Sequence, residues 1–206
     1  IFEYKLSMIL IRCLVSIIIF SIYTFKVYGN DASSFQIEGI SIGDSALNFL
    51  SRSEIMKQTK ENTKHYLHLK NPNEFGEVYV LENDKFDIYD GLSFFVKQDD
   101  NNFEIRMLRG LIWLDINSCL SQREKIRSEI EGVIENFEKE ENNFNAHQDE
   151  LSESKMHTIN YYLPSDDVIT LQCSDWSERM KKEYNYTSGL TVAISAKDFD
   201  DWIRNY

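Results

Sequence analysis

The residues whose types and spacing could do chemistry lie near the start of the chain, in "EGISIGDSAL", Glu38 to Leu47. Gly39-Ile40-Ser41-Ile42-Gly43 fits the G-x-S-x-G spacing of a nucleophile elbow, in which a strained strand-to-helix turn exposes a serine hydroxyl for acyl transfer. Gly43-Asp44-Ser45 matches the core of the GDSL esterase signature. Either serine needs a histidine base, and in both arrangements it should come late in the chain. The histidines are His65, His68, His147 and His157, and the last 49 residues contain none. The GDSL reading further needs an Asp-x-x-His pair, and no Asp here is followed three positions later by His. An elbow also borrows an oxyanion donor from an earlier strand and loop, for which the short segment before Ser41 leaves no room. The same residues suit a turn instead. Ile40 and Ile42 alternate as in an extended segment, Gly43 permits a turn, and Asp44 or Ser45 can cap a helix starting near Ala46.

Glu61, His65 and His68 stand at i−4, i and i+3, so on a continuous helix three potential zinc or copper ligands would share a face. Such sets are common on polar helix surfaces. The sequence therefore assigns no metal, no cofactor and no catalytic residue. The acidic residues at 84, 87 and 90 depart from the alternating ligands and central glycine of an EF-hand loop. Asn185-Tyr186-Thr187 is a glycosylation sequon only in a host that glycosylates.

Behind these candidates stand the elements that would have to position them. Residues 1–29 read as read-through ahead of Met8 followed by a signal peptide: Arg12 is a positive n-region, Cys13 to Phe25 an apolar run, and "VYGND" a cleavage region cut after Gly29. The alternative is an uncleaved membrane helix, since Met8 to Tyr28 is nearly long enough to span a bilayer, although it would carry Lys26 at its edge. Residues 30–206 then form one exported globular domain.

Two cysteines remain in that domain, Cys119 and Cys173, and an even count in an exported chain suggests a disulfide. Patterning agrees. Cys119 falls on the helical stripe of Ile126, Ile130, Val133, Ile134 and Phe137, and Cys173 lies on the apolar side of the alternating run Ile169, Leu171, Cys173.

Strand-like runs follow one another in "EVYVL", "FDIY", "LSFFVKQ" and "FEIRMLRGLIWLDI", with a bulge expected at Gly110. One long helix is expected over Ser118 to Lys139, with "QREK" in water, and the acidic tract "EKEENNFNAHQDELSESK" reads as its solvated end plus a loop. A hairpin around Pro164-Ser165-Asp166-Asp167 and a last strand through Leu190, Val192 and Ile194 complete the sheet. A short C-terminal helix closes the chain, capped by Ser195 and burying Phe199, Trp202 and Ile203. The fold class is α+β: an antiparallel sheet of about five to seven strands, the long and C-terminal helices packed on one side, Trp113, Trp176 and Trp202 in the packing.

The segments "FQIEGISIGDSALNFLS", "INSCLSQREKIRSEIE", "LQCSDWSE" and "GLTVAISAKDFDDWI" together resemble an uncharacterised family of small exported proteins from marine bacteria with streamlined, AT-rich genomes. Abundant Asn, Ile and Lys with two Pro agree with such a genome. The resemblance spans most of residues 30–206, apart from Asn62 to Asn102 and the surroundings of Asn142. It implies export, paired cysteines and a single domain, and it brings no activity or substrate.

Net charge is −12 over the whole sequence, a field that repels nucleic acid and anionic lipid headgroups. Contact with a membrane would come only through an uncleaved first helix. With no triad, metal cluster or phosphate loop, the expected function is non-enzymatic binding in the periplasm or envelope, or after secretion, with a protein or small-molecule partner. The alternatives are an exported hydrolase or metal-binding protein, and an assembly factor anchored in the inner membrane.

Overall fold

The computed structural model describes residues 31–81 and 86–205. The expected signal peptide or membrane helix at 1–29, and Asp84, lie outside them. The chain is α+β. A small ribbon of β1 (Gln36–Ile37) and β2 (Ile40–Ser41) precedes a seven-stranded antiparallel sheet of β3 (Phe75–Leu81), β4 (Gly91–Lys97), β5 (Ile105–Trp113), β6 (Glu138–Asn145), β7 (Lys155–Tyr162), β8 (Val168–Asp175) and β9 (Gly189–Ser195). The helices are α1 (Arg52–Asn62), α2 (Ile116–Glu131), α3 (Glu178–Tyr184) and α4 (Lys197–Ile203). The sheet order is β3-β4-β5-β9-β8-β7-β6, so the last strand to leave the chain is inserted at the centre.

Strand alternation sorts side chains onto two faces. One carries Val78, Leu92, Phe94, Leu108, Val192, Ile194, Ile169, Leu171 and Ile159, and it forms the main core beneath α2 and the amino-terminal segment. There Cys119 of α2 bonds Cys173 of β8, with Cα atoms 5.8 Å apart and both side chains fully buried. The pairing expected from the sequence is present. In the chain-entropy account, closing this loop stabilises the fold by about 4 kcal/mol.

The opposite face packs against an aromatic cluster at one end. Tyr66, Leu69, Phe199, Trp202 and Ile203 pack there on Phe75, Phe95, Met107 and Ala193 in a dense aromatic cluster. Helices therefore lie on both faces, which corrects the one-sided arrangement expected. Ser195 does not cap α4: the helix follows Ala196, which makes no side-chain cap, and the Lys197 N–H donates instead to Asp167 of the β7–β8 turn (2.9 Å).

Other expectations are corrected by where backbone hydrogen bonds go. The long helix stops at Glu131, because Gly132 closes the last turn onto the Ser128 and Glu129 carbonyls and Asn136, at φ +60°, turns the chain back. The acidic tract then becomes β6, paired residue for residue with β7. Phe86 to Tyr89 is a loop rather than a strand, since the N–H groups of Asp87, Ile88 and Tyr89 donate to the Glu38 carboxylate (3.2, 2.8 and 3.2 Å). The bulge lies at Arg106, where pairing with β4 skips a residue. Gly110 pairs regularly, and its missing side chain leaves room for the Tyr89 ring. Arg123, expected in water, is buried and reaches Glu124 and Glu141 (both 3.1 Å).

The two outer edges of the sheet differ. Along β3, the Gln58 side chain of α1 imitates a neighbouring strand, accepting from the Tyr79 N–H (2.9 Å) and donating to the Tyr79 carbonyl (3.2 Å), while Asn62 donates to the Glu77 carbonyl (3.0 Å). A capping box between Ser51 and Glu54 starts that helix. Along β6 all eight residues are exposed, and among the described residues no backbone group beyond β7 pairs with it.

Candidate binding face

Ser41 and Ser45 are occupied as structural groups. The Ser41 N–H donates to the Asp44 carboxylate (2.8 Å), and Gly43 turns the chain at φ +94°. Ser45 caps the 3-10 turn Ala46–Asn48 and donates its hydroxyl to the Asn102 carbonyl (2.5 Å). Among the described residues neither serine has a histidine partner. Glu61 lies in the last turn of α1, while His65 falls in the following 3-10 turn, Thr63–Tyr66, and His68 lies beyond it, so no continuous helix aligns the three. Among the described residues no group of three or more His, Cys, Asp or Glu is placed to hold a metal ion.

The part of the sheet face beside the aromatic cluster brings together residues that no sequence motif connects: Leu111, Thr191 and Gln172 are half-buried, Asn142 is exposed, and Thr158 between them is buried. Reading across paired strands, Leu111 of β5 neighbours Thr191 of β9, which neighbours Gln172 of β8, then Thr158 of β7 and Asn142 of β6. This five-strand row is one apolar residue followed by alternating hydroxyl and amide groups. The row beside it runs Trp113, Gly189, Ser174, Met156 and Phe144, and on the other side run Arg109, Ala193, Thr170, Asn160 and Glu140. Three cross-links hold the side chains upright. Thr158 donates to Gln172 (3.2 Å), Gln172 donates to Ser174 (3.2 Å), and Thr170 donates to Asn160 (2.8 Å). Each amide keeps N–H capacity beyond these bonds, because a side-chain amide has two donors and two lone pairs.

Trp113 stands at one border with 48% of its surface exposed, its N–H backbone group fixed by the Asp90 carboxylate (2.7 Å). It does not sit in the core packing expected of it; of the three tryptophans only Trp202 does, and Trp176 stacks on Tyr186 at 4.2 Å.

Arg109 borders the row on the β4 side. Its guanidinium donates to Ser93 (2.9 Å) and to Glu77 (2.9 Å), whose other oxygen accepts from the Tyr66 hydroxyl (2.6 Å). Glu77 is 2% exposed, so its charge is offset by these bonds and not by water. Burial, and then the Glu77 charge, push the Tyr79 phenol up to about 12. The cluster is a fixed neutral border. The row of Leu111, Thr191, Gln172, Thr158 and Asn142 carries no ionisable side chain, so it can hold a ligand by hydrogen bonds between neutral groups.

A cleft of about 630 Å3 lies on the α2 side, between Ile88, Ile112 and Leu114 and the α2 residues Asn117, Ser121, Gln122 and Lys125. Its helix wall is largely exposed side chains with no fixed partner among the described residues, in contrast to the cross-linked row.

Sequence reasoning missed the row. The signal is present in "VITLQC", where Thr170 and Gln172 alternate with Ile169 and Leu171, but the register aligning Gln172 with Thr191, Thr158 and Asn142 is set by strand pairing. No family model, curated protein or solved structure matches the chain.

Proposed function

We propose that the protein is an exported, non-catalytic binding protein of the periplasm or envelope, and that its open sheet face holds a neutral, hydroxyl-rich ligand, a saccharide chain. One observation carries the reading. In a chain with 27% charged residues and a net charge of −12, five adjacent strands carry a row without a single charge, half-buried or exposed except at the buried Thr158. Such a row gains nothing from an ionic ligand. It suits ring hydroxyls, which both donate and accept, and the exposed Trp113 indole beside it offers an apolar plane to a sugar ring. The buried disulfide supports an oxidising compartment. Among the described residues no helix is long and apolar enough to cross a membrane.

The test is migration of the purified protein through native gels containing dextran or hydroxyethyl cellulose, with heparin as the anionic comparison. Retardation by at least one neutral glucan, not by heparin, and loss of it in Trp113→Ala and Thr191→Glu is the expected result. Free migration in both neutral glucans would overturn the saccharide reading. Retardation undiminished in both variants would overturn the assignment to this face. Intact mass of the exported protein tests the compartment: a chain beginning near Asn30 is expected, and retention of the first 29 residues favours the anchored alternative.

A further inference from the structure

We infer that β6 is a self-pairing edge, through which a second copy of this chain adds its own β6 antiparallel about a two-fold axis at Asn142, joining the two sheets into one. The two edges motivate this. An eight-residue strand without proline or bulge exposes a row of unpaired peptide groups, which proteins ordinarily cover or disrupt. The β3 edge is covered by the Gln58 and Asn62 amides, and the β6 edge has no such cover among the described residues.

Why a second copy, rather than some other strand, follows from how charge is arranged along "EKEENNFN", Glu138 to Asn145. The charged residues fill the first half, and the second half is neutral. In a two-fold antiparallel pair with the sheet continuous, residues facing each other must lie on the same side, so positions must sum to an even number. Centred on Asn142, the register sets Asn142 against itself, Glu141 against Asn143, Glu140 against Phe144 and Lys139 against Asn145. No two like charges are directly opposed: the Glu141 carboxylate meets the Asn143 amide, the Lys139 ammonium meets the Asn145 amide, and Glu140 meets the Phe144 ring. Glu141 is held by the Arg123 guanidinium (3.1 Å). Glu140 stays ionised, kept below the usual carboxylate range by hydrogen bonds from Asn142 and then Tyr162. Paired asparagines across the axis can exchange side-chain hydrogen bonds, as amide ladders do. Repulsion between the two net charges is confined by salt to about 8 Å at physiological ionic strength.

The pairing would also lengthen the binding face. Asn142 ends the uncharged row, so the axis places the two rows end to end: Leu111, Thr191, Gln172, Thr158 and Asn142, then the same residues in reverse order. Ten strands at about 4.8 Å spacing make a track of roughly 43 Å, suited to a chain rather than a single sugar. That use rests on the function proposed above; the edge contact does not.

Sedimentation of the saccharide-free protein separates the two. A concentration-dependent dimer is expected, weakened about tenfold or more in Asn142→Glu, where carboxylates face each other, and strengthened in Phe144→Lys, which sets an ammonium against Glu140. A single cysteine at position 140, 142 or 144 should cross-link two chains fastest at 142, where the residue faces itself. A protein that stays monomeric up to about 100 μM, or a dimer indifferent to both substitutions, overturns the pairing. So does fastest cross-linking at 140 or 144. Loss of glucan retardation with the dimer intact would count against the saccharide reading alone.

Discussion

Leu171 and Gln172 are neighbours on β8 and face opposite worlds. Leu171 is fully buried between the sheet and α2, in a core closed by a disulfide, whereas Gln172 sits half-buried among Thr158, Ser174 and Thr191 on the opposite face. On one side of the sheet the strand is spent on stability. On the other, the side chains are uncharged and cross-linked to one another, from buried Thr158 and Ser174 to half-buried Gln172. Hydrophobic burial is proportional to area removed from water, so the apolar side carries the folding energy and the polar side is free to carry recognition.

Breaking the apolar side should have the largest effects. Replacing Cys119 and Cys173 together by Ala should lower unfolding free energy by about 4 kcal/mol, read as a shift in urea midpoint, because the unfolded chain regains the closed loop's freedom. Leu171→Ala should cost about 3 kcal/mol through lost burial and the cavity left behind. If Leu171→Ala proved as mild as a surface change, the assignment of the two faces would be wrong.

A different contrast separates polar groups that build the fold from those that present a face. Asp149 is buried and accepts from Ser154 (2.9 Å from the N–H, 2.5 Å from the hydroxyl), Ser177 (3.2 Å) and the Arg179 guanidinium, fixing the β6–β7 connection. The Ser154 hydroxyl above all, then Arg179, hold its carboxyl at about 2. Because its folded pKa is depressed, its contribution is complete above the unfolded value near 4 and is lost as pH falls from about 4 through about 2. Urea midpoints at pH 7 and pH 2.5 should therefore differ less in Asp149→Asn than in the parent protein. Gln172→Ala should do least, changing stability by about 0.5 kcal/mol or less at neutral pH while weakening glucan retardation, since its hydrogen bonds exchange with water. A large loss of stability there would make the row a structural lattice and not a recognition surface.

The edges repeat the lesson on a smaller scale. Gln58 supplies both hydrogen bonds of a missing strand at Tyr79, a substitution that burial patterns along α1 do not reveal, because the residue acts through its amide and not through hydrophobicity. The tract Glu138 to Asn145 has the composition of solvated helix and loop for the corresponding reason: at an edge strand both faces can be polar, and the alternation that identifies a half-buried strand is absent.

Alternation by itself determined most of the fold class, since apolar residues at every second position in β4, β5, β8 and β9 can be buried together only in a sheet. Spacing by itself also aligned Cys119 and Cys173 with the apolar sides of their elements, and residue order alone denied Ser41 and Ser45 a late histidine. Tertiary structure decided the rest. The sheet order, with β9 between β5 and β8, places Thr191 beside Gln172 and Leu111, and register carries the row on to Thr158 and Asn142. Local sequence encodes which side a residue faces. Which residues become neighbours across strands is fixed by pairing between segments far apart in the chain, and that follows only when the whole apolar face has found its partner.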